Sequence, residues 1–427
     1  LKIIGDLHIH SRYSRATSLQ MNVAEISRFA QIKGLNLVGT GDFTHPKWFR
    51  ELKDSLTMVG ETGLYKSSLN PSMQVSFMVT GEVSTIFELG GKTKKIHHVI
   101  LASSLEVARQ ISDRLSRYGD LSVDGRPTLS MSASQLVEEV LETSPSNLVF
   151  PAHAWTPWFS IFGANSGFDR FEDCYEDMSS RVYALETGLS SDPPMNWRVS
   201  SLDRLTLLSN SDAHSAWPWR LGREANVFEL EKLSYDEVAD AIKRKDSGRL
   251  SFTVETNPAY GKYHWSGHRR CSVSMPPSEA IHFNNICPKC RRRLTKGVEQ
   301  RVEELADRPA GFRPKCAAGY MDLLPLPEVI AAAVGAEQPS STRVWEIYNG
   351  LVGRFGSEFN VLLDASRDEI AASSDQAIAD AVIRVRDGRV KVTPGYDGVY
   401  GKIDLLAEEP SPPSVEAKTK MRLEDFM

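Results

Sequence analysis

Residues 1–14 read LKIIGDLHIHSRYS. A short apolar run passes straight into Asp6, His8 and His10. In an extended segment, residues i and i+2 project to one face, so these three side chains share a side. Neutral imidazole is the commonest metal ligand, and two imidazoles at the end of a buried strand converge on one point. An HxH pair says little alone, and the rest of the chain must supply the other ligands.

Six further apolar runs occur within about the first 260 residues, each near a His, Asp or Glu: NLVGTGD (36–42), VSFMVTGE (75–82), IHHVILA (96–102), NLVFPAH (147–153), VYALETG (182–188) and LTLLSNSD (205–212). They read as buried strands, each with its polar residue on the C-terminal side of the run. Amphipathic segments lie between them, such as SASQLVEEVLET (132–143), where Ala133, Leu136, Val137, Val140 and Leu141 repeat at helical spacing. Alternating β and α segments predict a parallel sheet, open or closed into a barrel. The C-terminal edge of such sheets is where sites assemble. The candidates there are His8, His10, Asp42, Glu82, His97 or His98, His153, Glu186, Asp212 and His214. A mixed imidazole and carboxylate set of this size suits two or three ions of zinc, manganese, magnesium or iron, with a bridging carboxylate.

The chain has 427 residues, predicting two or three domains. With 50 Lys and Arg against 55 Asp and Glu it is slightly acidic, so any nucleic-acid surface must be local. No apolar run reaches the roughly 18 residues that cross a bilayer, and the start has no signal-peptide pattern. A cytoplasmic protein without membrane partners is the expectation. The five cysteines do not form a disulfide framework.

The style changes near Tyr260. His268-x2-Cys271, fifteen residues, then Cys287-x2-Cys290 gives two ligand pairs at zinc-ribbon spacing, a closed and therefore structural zinc site. His264, His282 or Cys316 are alternatives to His268 as the fourth ligand, and Cys174 reads as a buried hydrophobe. Arg269, Arg270, Lys289, Arg291, Arg292 and Arg293 make the densest positive cluster, suited to phosphate contact. Trp155 and Trp158, in an aromatic loop after His153, are candidates for stacking on an unpaired nucleotide. Beyond Pro325 the pattern is helical, with one stripe through Val344, Ile347, Tyr348, Leu351, Val352 and Phe355 and another through Ile378, Ala381, Val382 and Val385, closed by Gly388. A Pro- and acid-rich linker follows, LAEEPSPPSVEA (406–417).

Several stretches carry a resemblance: DLHIHSRYSRATS (6–18), GTGDFTHPKW (39–48), GKYHWSGHRRC (261–271), CPKC (287–290), VEELADRP (302–309) and PGYDGVYG (394–401). Together with the order HIH, Glu82, His97, His153 and Asp-Ala-His, they resemble the endonuclease Q branch of the PHP (polymerase and histidinol phosphatase) superfamily over nearly the whole chain. The resemblance implies an α/β fold, a distorted seven-stranded β/α barrel over residues 1–260. A zinc-ribbon domain (261–320), a helical domain (321–404) and a linker and tail (405–427) follow. It implies that His8, His10, Glu82 and Asp212 hold one metal and that Glu82 bridges to a second on His97 and His153. The third-metal positions of the superfamily fall on Ala16 and Phe43 here, leaving His214, with His45 and Asp42 as substitutes. Asp212, Glu82, His214 and Asp42 take the catalytic roles. The implied activity is a metal-dependent DNA repair endonuclease acting on damaged DNA. It nicks 5′ to uracil, hypoxanthine, xanthine or abasic sites by metal-activated water, leaving 3′-hydroxyl and 5′-phosphate, and the enzyme is a monomer. A histidinol-phosphatase-like small-molecule phosphoesterase is the alternative. The tail KMRLEDFM (420–427) keeps Leu423 and Phe426 at the spacing of a sliding-clamp-binding box.

Overall fold

The opening apolar run forms β1 (Lys2–Asp6), and β2 (Leu37–Gly39) lies parallel beside it with Gly5 opposite Leu37. The computed structural model describes residues 1–405; the linker, the tail, and Leu423 and Phe426 with their clamp-binding reading lie outside the described residues. The short strands β3 (Leu56–Met58) and β4 (Tyr65–Ser67) lead to the long β5 (Ser76–Leu89) and β6 (Lys92–Ala102). Then come β7 (Thr128–Leu129), β8 (Leu148–Pro151), β9 (Ala184–Glu186), β10 (Thr206–Leu208), β11 (Ala225–Glu229) and β12 (Leu250–Glu255). The result is a mixed α/β architecture with a central sheet.

The expected all-parallel order is overturned at β6 and β11, which run against β1. The cause at β6 is local. Leu89 faces Lys92, leaving Gly90 (φ 58°) and Gly91 (φ 72°) as a two-residue turn. Positive φ at both central residues gives the type I′ turn, whose twist matches an antiparallel pair. His97 therefore precedes its apolar run instead of following it, and arrives at the site from the opposite chain direction.

From β1 the pairing passes through β2, β5, β6 and β8. Past β8, the Ala154 amide donates to the Glu186 carbonyl (3.0 Å) at the end of β9, and β9 lies parallel to β10. Beyond β10, Ala213 bridges to Ile9 and accepts a hydrogen bond from the His10 amide (2.9 Å), which returns the path to the end of β1. Helices cover the outside. The helix Ala133–Thr143 starts in a capping box between Ser132 and Gln135 and buries Ala133, Leu136, Val137 and Val140, as its spacing predicts. No helix among the described residues is long and apolar enough to cross a membrane.

The segment with the paired Cys motifs carries its own hairpin, β13 (Ser266–His268) with β14 (Val273–Met275), and a small separate core of Val273, Met275, Ala280, Cys287 and Leu294. The loop of PGYDGVYG clamps it: Asp397 accepts from the Arg269 amide (2.7 Å) and the Thr295 hydroxyl (2.6 Å). The chain then rejoins the main sheet as β15 (Gly319–Asp322), parallel to β12. Helices Leu326–Val334, Thr342–Phe355, Arg367–Ser373 and Gln376–Arg386 follow. Val344, Tyr348 and Leu351 of the first predicted stripe are buried; so are Ile378, Ala381, Val382 and Val385 of the second, with Gly388 (φ 66°) just past its end.

One buried ion pair joins these helices to the sheet layer. Lys33, at the end of the helix Val23–Lys33, places Nζ 2.7 Å from Glu358 and 2.9 Å from the Pro218 carbonyl. Glu358 also accepts from the Leu326 amide (2.9 Å) and the Tyr348 hydroxyl (3.0 Å). Both charges are out of water, so removing one strands the other. Lys33→Met or Glu358→Gln alone should each cost about 3–5 kcal/mol in urea unfolding. The double variant should recover most of that loss, and additive losses would show that the two side chains act independently.

Candidate active site

Glu82 sits in the middle of β5, fully buried, with its two carboxylate oxygens turned toward the His8, His10, His97 and His153 rings. Its Oε2 lies 3.0 Å from His10 Nε2 and 3.4 Å from His8 Nε2. Its Oε1 lies 2.9 Å from His97 Nδ1 and 3.2 Å from His153 Nε2. Asp212 closes the first group, with Oδ1 2.9 Å from His10 Nε2 and 3.6 Å from His8 Nε2. Two clusters result, His8–His10–Glu82–Asp212 and Glu82–His97–His153, each with its donor atoms within 4.8 Å of one another.

Register explains which histidine of the pair serves. His97 faces Ser84 and His98 faces Val83, so His97 shares the face of Glu82 while His98 points outward. There His98 is held between Thr85 (2.9 Å) and the Tyr175 hydroxyl (2.9 Å), and burial lowers its pKa to about 3.

A divalent cation fits these donors. Bonds of about 2.0–2.1 Å in tetrahedral geometry put ligand atoms roughly 3.3 Å apart. His8 Nε2, His10 Nε2 and Asp212 Oδ1 are buried without a hydrogen bond of proper geometry, and such groups demand an explanation. Burial opposes ionisation of Glu82, yet the His97, Arg126 and His8 charges outweigh it and hold the carboxyl well below its usual range. Burial also opposes charge on His8 and His10, but the carboxylates around them raise both well above the ordinary imidazole value. A cation between these groups would displace the imidazole protons, since a ligating imidazole is neutral.

The ring nitrogens turned away from the clusters are also held. Glu186, at the end of β9, reaches His8 Nδ1 with both oxygens at 3.0 Å and accepts from the His153 amide (2.8 Å) and the Asn210 side chain (2.8 Å). Asp42 reaches His10 Nδ1 at 2.9 Å, while its other oxygen takes the Ser11 amide and hydroxyl (2.6 Å each) and the Ser14 hydroxyl (3.0 Å). These are the outer carboxylates that fix the tautomer and aim of a ligating imidazole. Asp42 thus lies behind His10, which corrects its expected place in direct catalysis. Asp6, of the same parity as the histidines, instead accepts from the Ser211 and Gly222 amides (3.1 and 2.9 Å) and anchors the Asp212 loop.

Two other expectations are corrected. His45 caps the helix Pro46–Ser55 and bonds the Ser122 carbonyl (3.1 Å), so it belongs to neither cluster. Trp155 is buried and donates to Asn196 (2.8 Å), which removes it from any surface; Trp158 is exposed, edge-on to Tyr263. His214 stands half-exposed beside the His10 ring and outside both clusters. Sequence reasoning missed Arg126, whose Nη1 lies 3.1 Å from Glu82. It also missed positive φ at Asp42 (48°), His153 (31°) and Asp212 (48°), strain of the kind that gathers at functional sites.

In the second motif, His268, Cys271, Cys287 and Cys290 bring one donor atom each within 4.8 Å. Of the alternatives, His264 is turned toward Glu299 (3.5 Å), and neither His282 nor Cys316 joins the group. Arg269, Arg270, Lys289, Arg291, Arg292 and Arg293 are all exposed around it.

A family described as "MJ0043 C-terminal domain" matches residues 325–389, within the helical region. The uncharacterized protein MJ0043 of Methanocaldococcus jannaschii is 33% identical over 262 residues, 60% of this chain, and the chain spans 32% of that protein's length. The uncharacterized protein YqxK of Bacillus subtilis is 26% identical over 94% of this chain and 99% of its own. The crystal structure of the lesion-specific endonuclease PfuEndoQ from Pyrococcus furiosus superposes with a TM-score of 0.84 at 34% identity, covering 96% of this chain and 98% of that one. An endonuclease Q complex with a 27-mer duplex bearing an abasic lesion gives 0.84 at 33% identity, with coverage of 96% and 99%. Similarity of that extent, spanning sheet, ribbon and helices together, means that the chain belongs to the endonuclease Q family of the PHP superfamily.

Proposed function

We propose that the chain is a metal-dependent DNA repair endonuclease that nicks the phosphodiester 5′ to deaminated bases and abasic sites. The observation that carries this reading is Glu82 between two donor clusters, in a chain similar along its length to an endonuclease Q bound to a lesion duplex. We read the path through β1, β2, β5, β6, β8, β9 and β10 as the distorted seven-stranded barrel, bounded by residue 260. Residues 261–320 are the ribbon domain and 321–404 the helical domain. A histidinol-phosphatase-like activity is disfavoured, because a soluble monophosphate needs neither.

His8, His10, Glu82 and Asp212 would hold one divalent metal, and Glu82, His97 and His153 a second. Bound there, such ions lower the pKa of water and polarise phosphoryl oxygens. Glu186 and Asp42 keep the Nε2 atoms of His8 and His10 aimed into the site. His214 shares its Nδ1 proton with the Asp212 carbonyl (2.8 Å), which leaves Nε2 to take a proton from the attacking water. The water oxygen bonds to phosphorus as the P–O3′ bond breaks, and the leaving oxygen gains a proton from solvent. The products are a 3′-hydroxyl and a 5′-phosphate. His268, Cys271, Cys287 and Cys290 hold a structural zinc, the surrounding Arg and Lys side chains contact phosphates, and Trp158 stacks where the nucleotide leaves the duplex.

Duplexes carrying one uracil, hypoxanthine or abasic site, with and without chelator, test the reading. Nicking 5′ to the lesion that the chelator stops is expected, and inorganic phosphate release from histidinol phosphate without nicking would replace it. Asp212→Asn should lower nicking by about 10²–10³-fold, the scale of losing one charge-stabilising group, with the fold intact. Glu186→Gln should weaken barrel-metal affinity about 10–100-fold in a chelator competition, because His8 loses its orienting carboxylate. Cys287→Ser should release one zinc in metal counting and leave the barrel ions in place, since the two sites share no ligand.

A further inference from the structure

Arg126 is the only cation whose side chain meets Glu82 among the described residues apart from the histidines. Its Nη1 lies 3.1 Å from Oε2, and among the described residues Glu82 is the one hydrogen-bonded partner of its side chain. The remaining N–H groups are left for something else, and the side chain is 26% exposed. The floor of the site is closed, with His8, His10 and Glu82 at 1% exposure or less. Asp212 (31%), His214 (31%), His153 (12%) and Arg126 are the partly exposed side chains around it.

The loop that carries Arg126 is pinned on both sides. The Gly125 amide donates to the Tyr13 carbonyl (3.1 Å), and a Cβ at Gly125 would come within 2.3 Å of Asp42 Oδ2 and Ser14 Oγ. Only glycine can approach the His10–Asp42 pair this closely. Asp124 ties the loop to Arg15, and the Pro127 carbonyl accepts from the Ser84 amide (2.9 Å). The guanidinium is therefore set by the same framework that sets the metal donors.

A purely structural role would be to neutralise Glu82. That carboxylate already faces four imidazoles and, with cations bound, would have no need of a further partner. Arginine also keeps its charge at any working pH and offers a planar fork that matches two phosphate oxygens. We infer that Arg126 is a substrate-contacting catalytic residue, binding the non-bridging oxygens of the scissile phosphate at the rim of the site and stabilising the charge that gathers there as the P–O3′ bond breaks. This inference rests on the endonuclease reading and adds a fixed cation to the two donor clusters.

The test uses the metal-loaded full chain and the variants Arg126→Met, Arg126→Ala and Arg126→Lys. Metal content is counted, inorganic phosphate binding is measured by calorimetry, and single-turnover nicking of a uracil duplex is followed. Arg126→Met should keep the wild-type metal content, bind phosphate at least about tenfold more weakly and nick roughly 10²–10³-fold more slowly. Guanidinium ion should restore part of the Arg126→Ala rate where ammonium does not, and Arg126→Lys should fall between, lacking the fork. Unchanged phosphate affinity in Arg126→Met overturns the inference. So does a loss of bound metal in step with the loss of rate, which would make Arg126 a support for Glu82. If wild-type protein nicks no lesion but the phosphate contrast holds, the endonuclease reading fails and the Arg126 contact stands.

Discussion

The site depends on one carboxylate. Glu82 is buried where an isolated charge would be untenable, and it stays ionised because imidazoles and a guanidinium converge on it from three strands or strand ends and a loop. Its two oxygens serve different neighbours, His8 and His10 on one side and His97 and His153 on the other. His8 and His10 come from the end of β1, His97 from β6 and His153 from the end of β8. Closing the pairing path around the barrel is what brings them within bonding distance of one atom pair.

Around that centre the polar groups are layered. Glu186 and Asp42 orient the imidazoles, and Asn210, Ser11 and Ser14 hold those carboxylates in turn. Deeper still, burial pushes Glu224 and Glu255 well above the usual carboxylate range, with the Glu255 charge adding to the shift at Glu224. Glu255 accepts hydrogen bonds from the Thr187, Ser209 and Thr253 hydroxyls. A carboxylate that is fully bonded cannot swing, so the donor atoms keep their spacing without help from solvent.

The helical region shares one continuous hydrophobic core with the central sheet, and specific polar contacts are added to it. Arg301 and Arg308 tie the segment with the paired Cys motifs to Asp169 and Asp203, Asp397 clamps it from the C-terminal loop, and the Lys33–Glu358 pair joins the helical region to the sheet layer. The exposed Arg and Lys side chains around the paired Cys motifs are thereby carried on a segment that is packed against the rest of the molecule. That arrangement suits a partner as stiff and as highly charged as duplex DNA.

What the sequence determined by itself was the chemistry. The paired His and Cys motifs, the acidic and imidazole side chains at the strand ends and the apolar faces of the helices follow from residue type and local period, which depend only on near neighbours, and the family resemblance picked His8, His10, Glu82, His97, His153 and Asp212 out of that wider set. Four things needed the folded chain. The physical reason that His97 and not His98 joins Glu82 lies in the register of β5 against β6, itself set by Gly90 and Gly91. The places of Asp42 and His45 turned on which side of His10 and which helix end they occupy, and spacing along the chain carries no such information. Trp155 and Trp158 differ by three positions in one loop, yet one is core and the other surface. Arg126 carried no motif at all, because its meaning comes from a loop 44 residues away from Glu82 in the chain and 3.1 Å away in space. Long-range packing decides what a residue faces, and no window of sequence contains it.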